Sequence, residues 1–149
     1  MEPEEWESWA ALLLLHRTVL QDLDTALRQQ HKLAVSEFDV LITLSNAPDN
    51  RLGMSALAHE AMLSPAGTTH LVTRLERDGL VKREVDRADR RKWFTVLTEE
   101  GDQTLRAARL THDAVLRRTF LAVTSPADRD MLQHLWHRLS SPGTGADQH

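Results

Sequence analysis

Two short helix-forming segments followed at once by two strand-forming segments around a polar, arginine-rich loop occupy residues 54–97, and this order constrains the fold more than any other feature. Met54–Ala61 is a short helix that turns Leu57 and Ala58 inward. Ser64-Pro65 supplies an N-cap and a first-turn proline, so a second helix is predicted from Pro65 to Asp78 on Leu71, Val72 and Leu75, closed by Gly79. Leu80, Val81 and Val85 then give way to the polar run Asp86–Lys92, after which Trp93-Phe94-Thr95-Val96-Leu97 is aromatic and β-branched. A helix-turn-helix running into a basic hairpin is the pattern of a winged helix. In that arrangement the second helix enters the major groove of a duplex, and the hairpin tip reaches along the backbone toward the adjacent minor groove.

The flanking segments are helical. Trp6, Trp9, Leu13, His16, Leu20, Leu23 and Leu27 recur at alternating intervals of three and four, which predicts a long amphipathic helix over about residues 5–31. Its apolar face is wider than one small domain needs to cover, so part of it is expected to pack on another chain. Ser36 is read as the N-cap of the next helix, which carries Phe38, Val40, Leu41 and Leu44 before Asn46-Ala47-Pro48-Asp49-Asn50 breaks it. Thr98 can cap a helix with Glu99, Glu100 and Asp102 at its positive end, and Ser125-Pro126 starts a last helix bearing Met131, Leu132, Leu135, Trp136 and Leu139. The expected fold is mainly α with a small β-hairpin wing, an α+β winged helix with long terminal helices. All 149 residues form one domain. Within it, 36–97 make the DNA-binding lobe, 5–31 and 98–140 the dimerisation helices, and 141–149 a disordered Ser/Pro/Gly/Thr tail.

Composition excludes more than it assigns. Without cysteine the chain forms neither disulfides nor thiolate metal sites, and it senses no oxidant through its own thiol. The longest apolar run is Ala10–Leu15, far short of a membrane span, and the first residues are acidic where a signal peptide is basic; the expectation is a cytoplasmic protein with no membrane partner. The net charge of −4 argues against nucleic acid until its distribution is seen. From Arg74 to Lys92, eight basic residues face five acidic ones, a local +3 on a remainder of −7. Such a chain presents one edge to phosphate and keeps the rest away from it. A solvated charged loop is the plainer reading of that segment taken alone.

The residues also resemble a known family. Leu63-Ser64-Pro65-Ala66-Gly67-Thr68-Thr69-His70-Leu71-Val72-Thr73-Arg74-Leu75-Glu76-Arg77-Asp78-Gly79-Leu80-Val81 is similar to the recognition helix and following strand of the MarR (multiple antibiotic resistance regulator) family. Asp86, Asp89-Arg90-Arg91 and Leu97-Thr98-Glu99-Glu100-Gly101 resemble its wing and the start of its fifth helix, and Leu33–Leu44 resembles its second helix. The detailed likeness covers about residues 33–101. It implies a homodimer whose first and last helices entwine, and a repressor released by a small molecule; the two-fold of such a dimer in turn demands a pseudo-palindromic operator. Thr95 stands where the family often has an aliphatic residue, bulky Trp93 and Phe94 precede it, and the recognition helix starts on small residues. Gly67 inside that helix implies a close approach to DNA or to a neighbouring helix.

On this reading Thr69 and His70 are the candidates for base contact, sharing the early turns with Pro65 and Ala66; the alternative is that they are merely exposed polar residues. Ser64, Thr68 and Arg74 are assigned to phosphate. Arg90 and Arg91, then Arg87, are the wing-tip candidates, with Asp89 expected to brace the hairpin through Arg91. His134 and His137 stand three apart on one helix, but no third ligand stands at a matching spacing, so no metal and no cofactor is expected. Trp9, His16 and Asp39 are candidates to line a pocket for a small aromatic or anionic effector. No phosphate loop, G-x-S-x-G, H-E-x-x-H or cysteine nucleophile is present, which argues against an enzyme. The remaining alternatives are a winged helix used only for protein contacts, and a metal-responsive regulator without an organic ligand.

Overall fold

A computed structural model describes residues 1–141. Helix α1 (Pro3–His31) is a single 29-residue rod that ends where Lys32 turns left-handed at φ 57°. Helix α2 (Val35–Asn46) follows almost at once. Its N-cap is Ala34 and not Ser36. Two carboxylates anchor the helix start two residues earlier than a Ser36 cap would: Glu37 accepts the Ala34 N–H at 2.8 Å, and Asp24 of α1 accepts the Val35 N–H at 2.9 Å.

A single 3-10 turn (Pro48–Asn50) leads into β1 (Arg51–Gly53), a strand that the sequence pattern does not announce because three residues are too few to alternate. Helices α3 (Met54–Glu60) and α4 (Pro65–Arg77) form the predicted pair, and the turn between them puts Met62 at φ 54°. Gly79, at φ 77°, closes α4 as expected. Strands β2 (Val81–Val85) and β3 (Trp93–Leu97) make the hairpin, with Val81 opposite Leu97, Arg83 opposite Thr95 and Val85 opposite Trp93. β1 adds to the far side of β3, giving an antiparallel sheet in the order β1-β3-β2.

Thr98 knots the base of the hairpin to helix α5 (Glu99–Leu116): its hydroxyl donates to the Gly79 carbonyl at 2.7 Å and accepts from the Gly101 N–H at 3.0 Å. Gly101 is required there, because a Cβ would collide with the Leu80 carbonyl oxygen and with Leu97. A π-turn (Arg117–Leu121) and Ser125, which caps as predicted, introduce α6 (Pro126–Ser140). Beyond Ser141, the tail expected at 141–149 lies outside the described residues.

The core lies inside the lobe. Phe38, Leu41, Leu44, Leu57, Val72, Leu75 and Leu105 are fully buried in one cluster, where α2, α3, α4, the sheet and the first half of α5 meet. Each such aliphatic or aromatic side chain contributes about 1.5–3 kcal/mol relative to exposure. A second, smaller cluster of Leu23, Ala26 and Val115 ties the C-terminal half of α1 to α5. The N-terminal half of α1 and all of α6 contain no buried residue. Among the described residues no helix is long and apolar enough to cross a membrane.

Candidate nucleic-acid interface

Helix α4 presents one polar face because its apolar residues fall on the other. Leu71, Val72 and Leu75 point into the core, which leaves Pro65, Ala66, Thr69, His70 and Thr73 exposed along the opposite side. Ser64 is exposed at the N-terminus, and its Oγ accepts the Gly67 N–H at 3.0 Å. A Cβ on Gly67 would come within 2.9 Å of that Oγ, so the glycine is explained by its own cap and by no neighbouring helix. The Thr69 hydroxyl donates to the Pro65 carbonyl at 3.1 Å and keeps its acceptor capacity on an exposed residue.

Two of the expected phosphate contacts are corrected. Thr68 is 1% exposed, with its hydroxyl donated to the Ser64 carbonyl at 2.8 Å, so it packs inside the helix-turn-helix and faces no ligand. Arg74 turns back toward α2, where Nη2 lies 3.1 Å from Oε1 of Glu37, a carboxylate whose side chain is 3% exposed. Its first role is to neutralise that buried charge. Glu37 is a residue the sequence reading missed, since nothing in the pattern links it to a partner on a helix so distant in the chain.

The wing is as basic as the sequence implied. Arg87, Arg90 and Arg91 are all exposed, and Val85, Asp86, Arg87 and Arg90 line a cavity of about 570 Å³ at the tip. Asp89 braces Arg91 as expected, accepting from its backbone N–H at 3.1 Å and from Nε at 3.2 Å. Asp86 shapes the other side of the tip by accepting the Ala88 N–H at 2.8 Å. Lower on the strand, a hydrogen bond from Lys82 holds the Glu84 carboxyl below the usual carboxylate range; burial opposes this, and the charges of Lys82, Arg51 and Arg87 reinforce it.

Arg83 was also missed. It sits at an inward position of β2, and its Nη2 donates to Thr73 Oγ1 at 2.7 Å while Nε lies 3.7 Å from Glu76 Oε1. Glu76 additionally accepts the Arg83 backbone N–H at 3.2 Å, so the wing is fixed to the recognition helix along its exposed flank. The available signal was the strand alternation Val81, Arg83, Val85, which puts a cation on the core-facing side.

The MarR family model matches residues 33–93, which hold α2, the helix pair and most of the wing. Over 115 residues the chain is 30% identical to the transcriptional regulator HosA of Escherichia coli, covering 75% of this chain and 83% of HosA. The chain belongs to the MarR family. It is thus a DNA-binding transcriptional regulator and not an enzyme. It is also 26% identical over 133 residues to the homoprotocatechuate degradative operon repressor of E. coli, spanning 89% of this chain and 86% of that protein. Among solved structures, the MarR regulator Sco3205 of Streptomyces coelicolor in complex with DNA superposes with a TM-score of 0.90 at 25% identity, covering 99% of this chain and 95% of that one.

The effector residues expected of this MarR chain do not converge. His16 lines a groove of about 830 Å³, but its companions are Ala10, Leu13, Leu14, Arg17, Leu20, Gln21, Asp24 and Val35. Trp9 and Asp39 are absent from it. Trp9 lies two turns before His16 on the exposed rod and is 49% exposed. Asp39 is on the exposed flank of α2 beside His112 of α5, where partial shelter from water pushes its carboxyl up and the His112 charge opposes this. The short α1–α2 connection does bring the helices together, but at Asp24 and Val35. The Asp24 carboxyl lies below its usual range: burial raises it but is outweighed by the hydrogen bonds from Val35 N–H and Arg28 and by the Arg28 charge. Among the described residues no cluster of three or more His, Asp or Glu could hold a metal.

Proposed function

We propose that this MarR regulator is a repressor that binds a pseudo-palindromic duplex as a homodimer and is released by a small aromatic or anionic molecule. The observation that carries the reading is the division of the exposed surface. A polar helix face flanked by three arginines stands at one end, and two apolar helices stand uncovered at the other. The first suits a duplex: Thr69 and His70 would read base edges, Ser64, Pro65 and Ala66 would approach the backbone at the helix start, and Arg87, Arg90 and Arg91 would take phosphate or the minor groove. The second suits a second copy related by a two-fold axis, which places two recognition helices about one helical turn of DNA apart.

Release has a physical route. The groove edge is Asp24, which holds Val35 N–H at the start of α2, and two residues along α2 Glu37 is paired with Arg74 on the recognition helix. A molecule with an anionic group attracted by Arg17, seated against Leu13 and Leu20, would press on that start. It releases DNA only if it binds the DNA-incompetent arrangement more tightly.

Selection of bound duplexes from a random pool tests the reading. It should return paired half-sites, and affinity for them should fall steeply with salt; replacing both Arg90 and Arg91 by Ala should reduce the log–log salt slope by up to about 0.9 per lost contact. Enrichment of no duplex, or binding indifferent to salt, would contradict it.

A further inference from the structure

Trp93 and Val85 form the outermost rung of the hairpin and face one another across it. Side chains two apart on a strand share a face, so this rung belongs to the same face as Arg83–Thr95 and Val81–Leu97. That face is the inner one. Val81, Thr95 and Leu97 on it are buried, and the Thr95 hydroxyl reaches Met54 Sδ of α3 at 3.1 Å. Yet Trp93 is 47% exposed and Val85 39% exposed, because the helical layer ends before their rung. An inward-facing tryptophan is therefore left uncovered by its own fold.

The contacts of the middle rung show what lies in front of it. β2 returns antiparallel to α4 after the Gly79 turn, and Arg83 meets Thr73 and Glu76 in the second half of that helix. One rung further out, the strand has moved toward the exposed face that bears Thr69 and His70. On its other side the same rung adjoins the tip cavity, which is lined by Val85 and Asp86 together with Arg87 and Arg90. Trp93 thus stands across the hairpin from Val85, between the rung that Arg83 ties to the recognition helix and a tip that carries two arginines and one aspartate.

We propose that Trp93 is a further DNA-contacting residue, whose indole packs on deoxyribose between the grooves and donates its N–H to a phosphate oxygen. This rests on the DNA-binding reading above. The occupant is a duplex because the next rung inward is tied to the recognition helix through Arg83, and the tip beside Val85 carries Arg87 and Arg90, which suit phosphate. The indole supplies the apolar surface for the sugar and a donor, with no acceptor, for the phosphate. Because the contact is uncharged, it adds affinity without adding to the salt dependence.

The test uses the full chain labelled with 5-fluorotryptophan, which reports all four tryptophans by fluorine NMR, with Trp93→Phe assigning the resonance. On titration with a mixed-sequence duplex long enough for two half-sites, at low salt, the Trp93 resonance should shift while those of Trp6, Trp9 and Trp136 stay. Trp93→Ala should weaken binding about tenfold, as expected for an interface tryptophan, with an unchanged salt slope. Trp93→Phe should retain most of the affinity. A stationary Trp93 resonance while the wild-type chain binds the duplex would overturn this contact alone. So would a loss of slope in Trp93→Phe, since the ring would then serve only to hold the arginines. Failure of the wild-type chain to bind any duplex would overturn the DNA-binding reading and this contact with it.

Discussion

Phe38 and Trp136 are both large aromatic residues on amphipathic helices, yet Phe38 is fully buried and Trp136 is 59% exposed. The lobe around Phe38 closes on itself: α2 to β3, with the first half of α5, bury each other's apolar faces. The terminal helices do not. Trp6, Trp9, Leu12 and Leu13 on α1 and Leu135, Trp136 and Leu139 on α6 all remain between 43% and 80% exposed. Apolar surface on that scale, uncovered by the described residues, is the kind on which the proposed second copy would pack. The lobe buries its own apolar residues, whereas the terminal helices leave theirs for the partner proposed above.

The contrast is broken most severely by charging the uncovered face. Leu12→Asp combined with Leu135→Asp places carboxylates where an apolar interface is proposed, and should weaken self-association by at least about a hundredfold, roughly 2.7 kcal/mol. The lobe should survive, with little change in far-ultraviolet circular dichroism. By comparison, Leu44→Ala inside the lobe should cost about 2–5 kcal/mol at every protein concentration. If the double variant associates like the wild type, the face is not the interface.

A second experiment sharpens the boundary between the lobe and its DNA face. Arg74→Ala leaves the nearly buried Glu37 without its ion-pair partner while Oε2 still accepts the Ala34 N–H, and should destabilise the chain by about 2 kcal/mol in chemical denaturation. Adding Glu37→Gln should restore part of it. The salt slope of duplex binding should not change, whereas a phosphate contact would lower it by about 0.9.

Acid titration probes the joint between the two regions. With its pKa lowered on folding, Asp24 contributes stability that is present above the unfolded carboxylate value of about 3.9 and lost as pH falls through the lower folded value. Asp24→Asn should therefore be less stable than the wild type at neutral pH by up to about 1 kcal/mol, a modest amount because the pair with Arg28 is partly exposed. The gap should vanish in strong acid. A gap that widened in acid would reverse the assigned sign.

The smallest expected effect is a gain. Met62 holds a left-handed conformation in the helix-turn-helix turn with its side chain 86% exposed, so it bears the strain without packing in return. Met62→Gly should stabilise by about 0.5–1 kcal/mol, the relief being partly offset by the entropy of glycine. A lowered urea midpoint would show that Met62 makes a contact in the assembled protein.

Elements with strong local chemistry were legible in the sequence. Ser64, Thr98 and Ser125 cap the helices they were expected to cap, and Gly79 and the Asp86–Lys92 run mark the turns. The start of α2 was misread because its cap is supplied by carboxylates from Glu37 and from Asp24 on another helix, and a serine of suitable type happened to stand nearby. β1 was invisible because its pairing with β3 is entirely non-local. At the candidate site, the same limit explains Arg74. Residue type and helical position marked it as a phosphate contact, and only the packing of α2 on α4 reveals its buried partner. Thr68 failed for a simpler reason, since adjacent helix positions face different directions and Thr69 took the exposed one. The effector set does not assemble within one chain because the short connection packs α2 on α1 at Asp24 and Val35, and Asp24 stands three helical turns and more beyond Trp9 on the same rod.

On the proposed reading, the lobe reads DNA only when the exposed terminal helices have joined two copies. Light scattering on the chain bound to a selected duplex measures this directly. Two chains of 16.9 kDa should load together on a duplex carrying both half-sites, with no stable complex of one chain on a single half-site. A one-to-one complex on a single half-site, as tight as that on the full site, would mean that one lobe reads DNA alone.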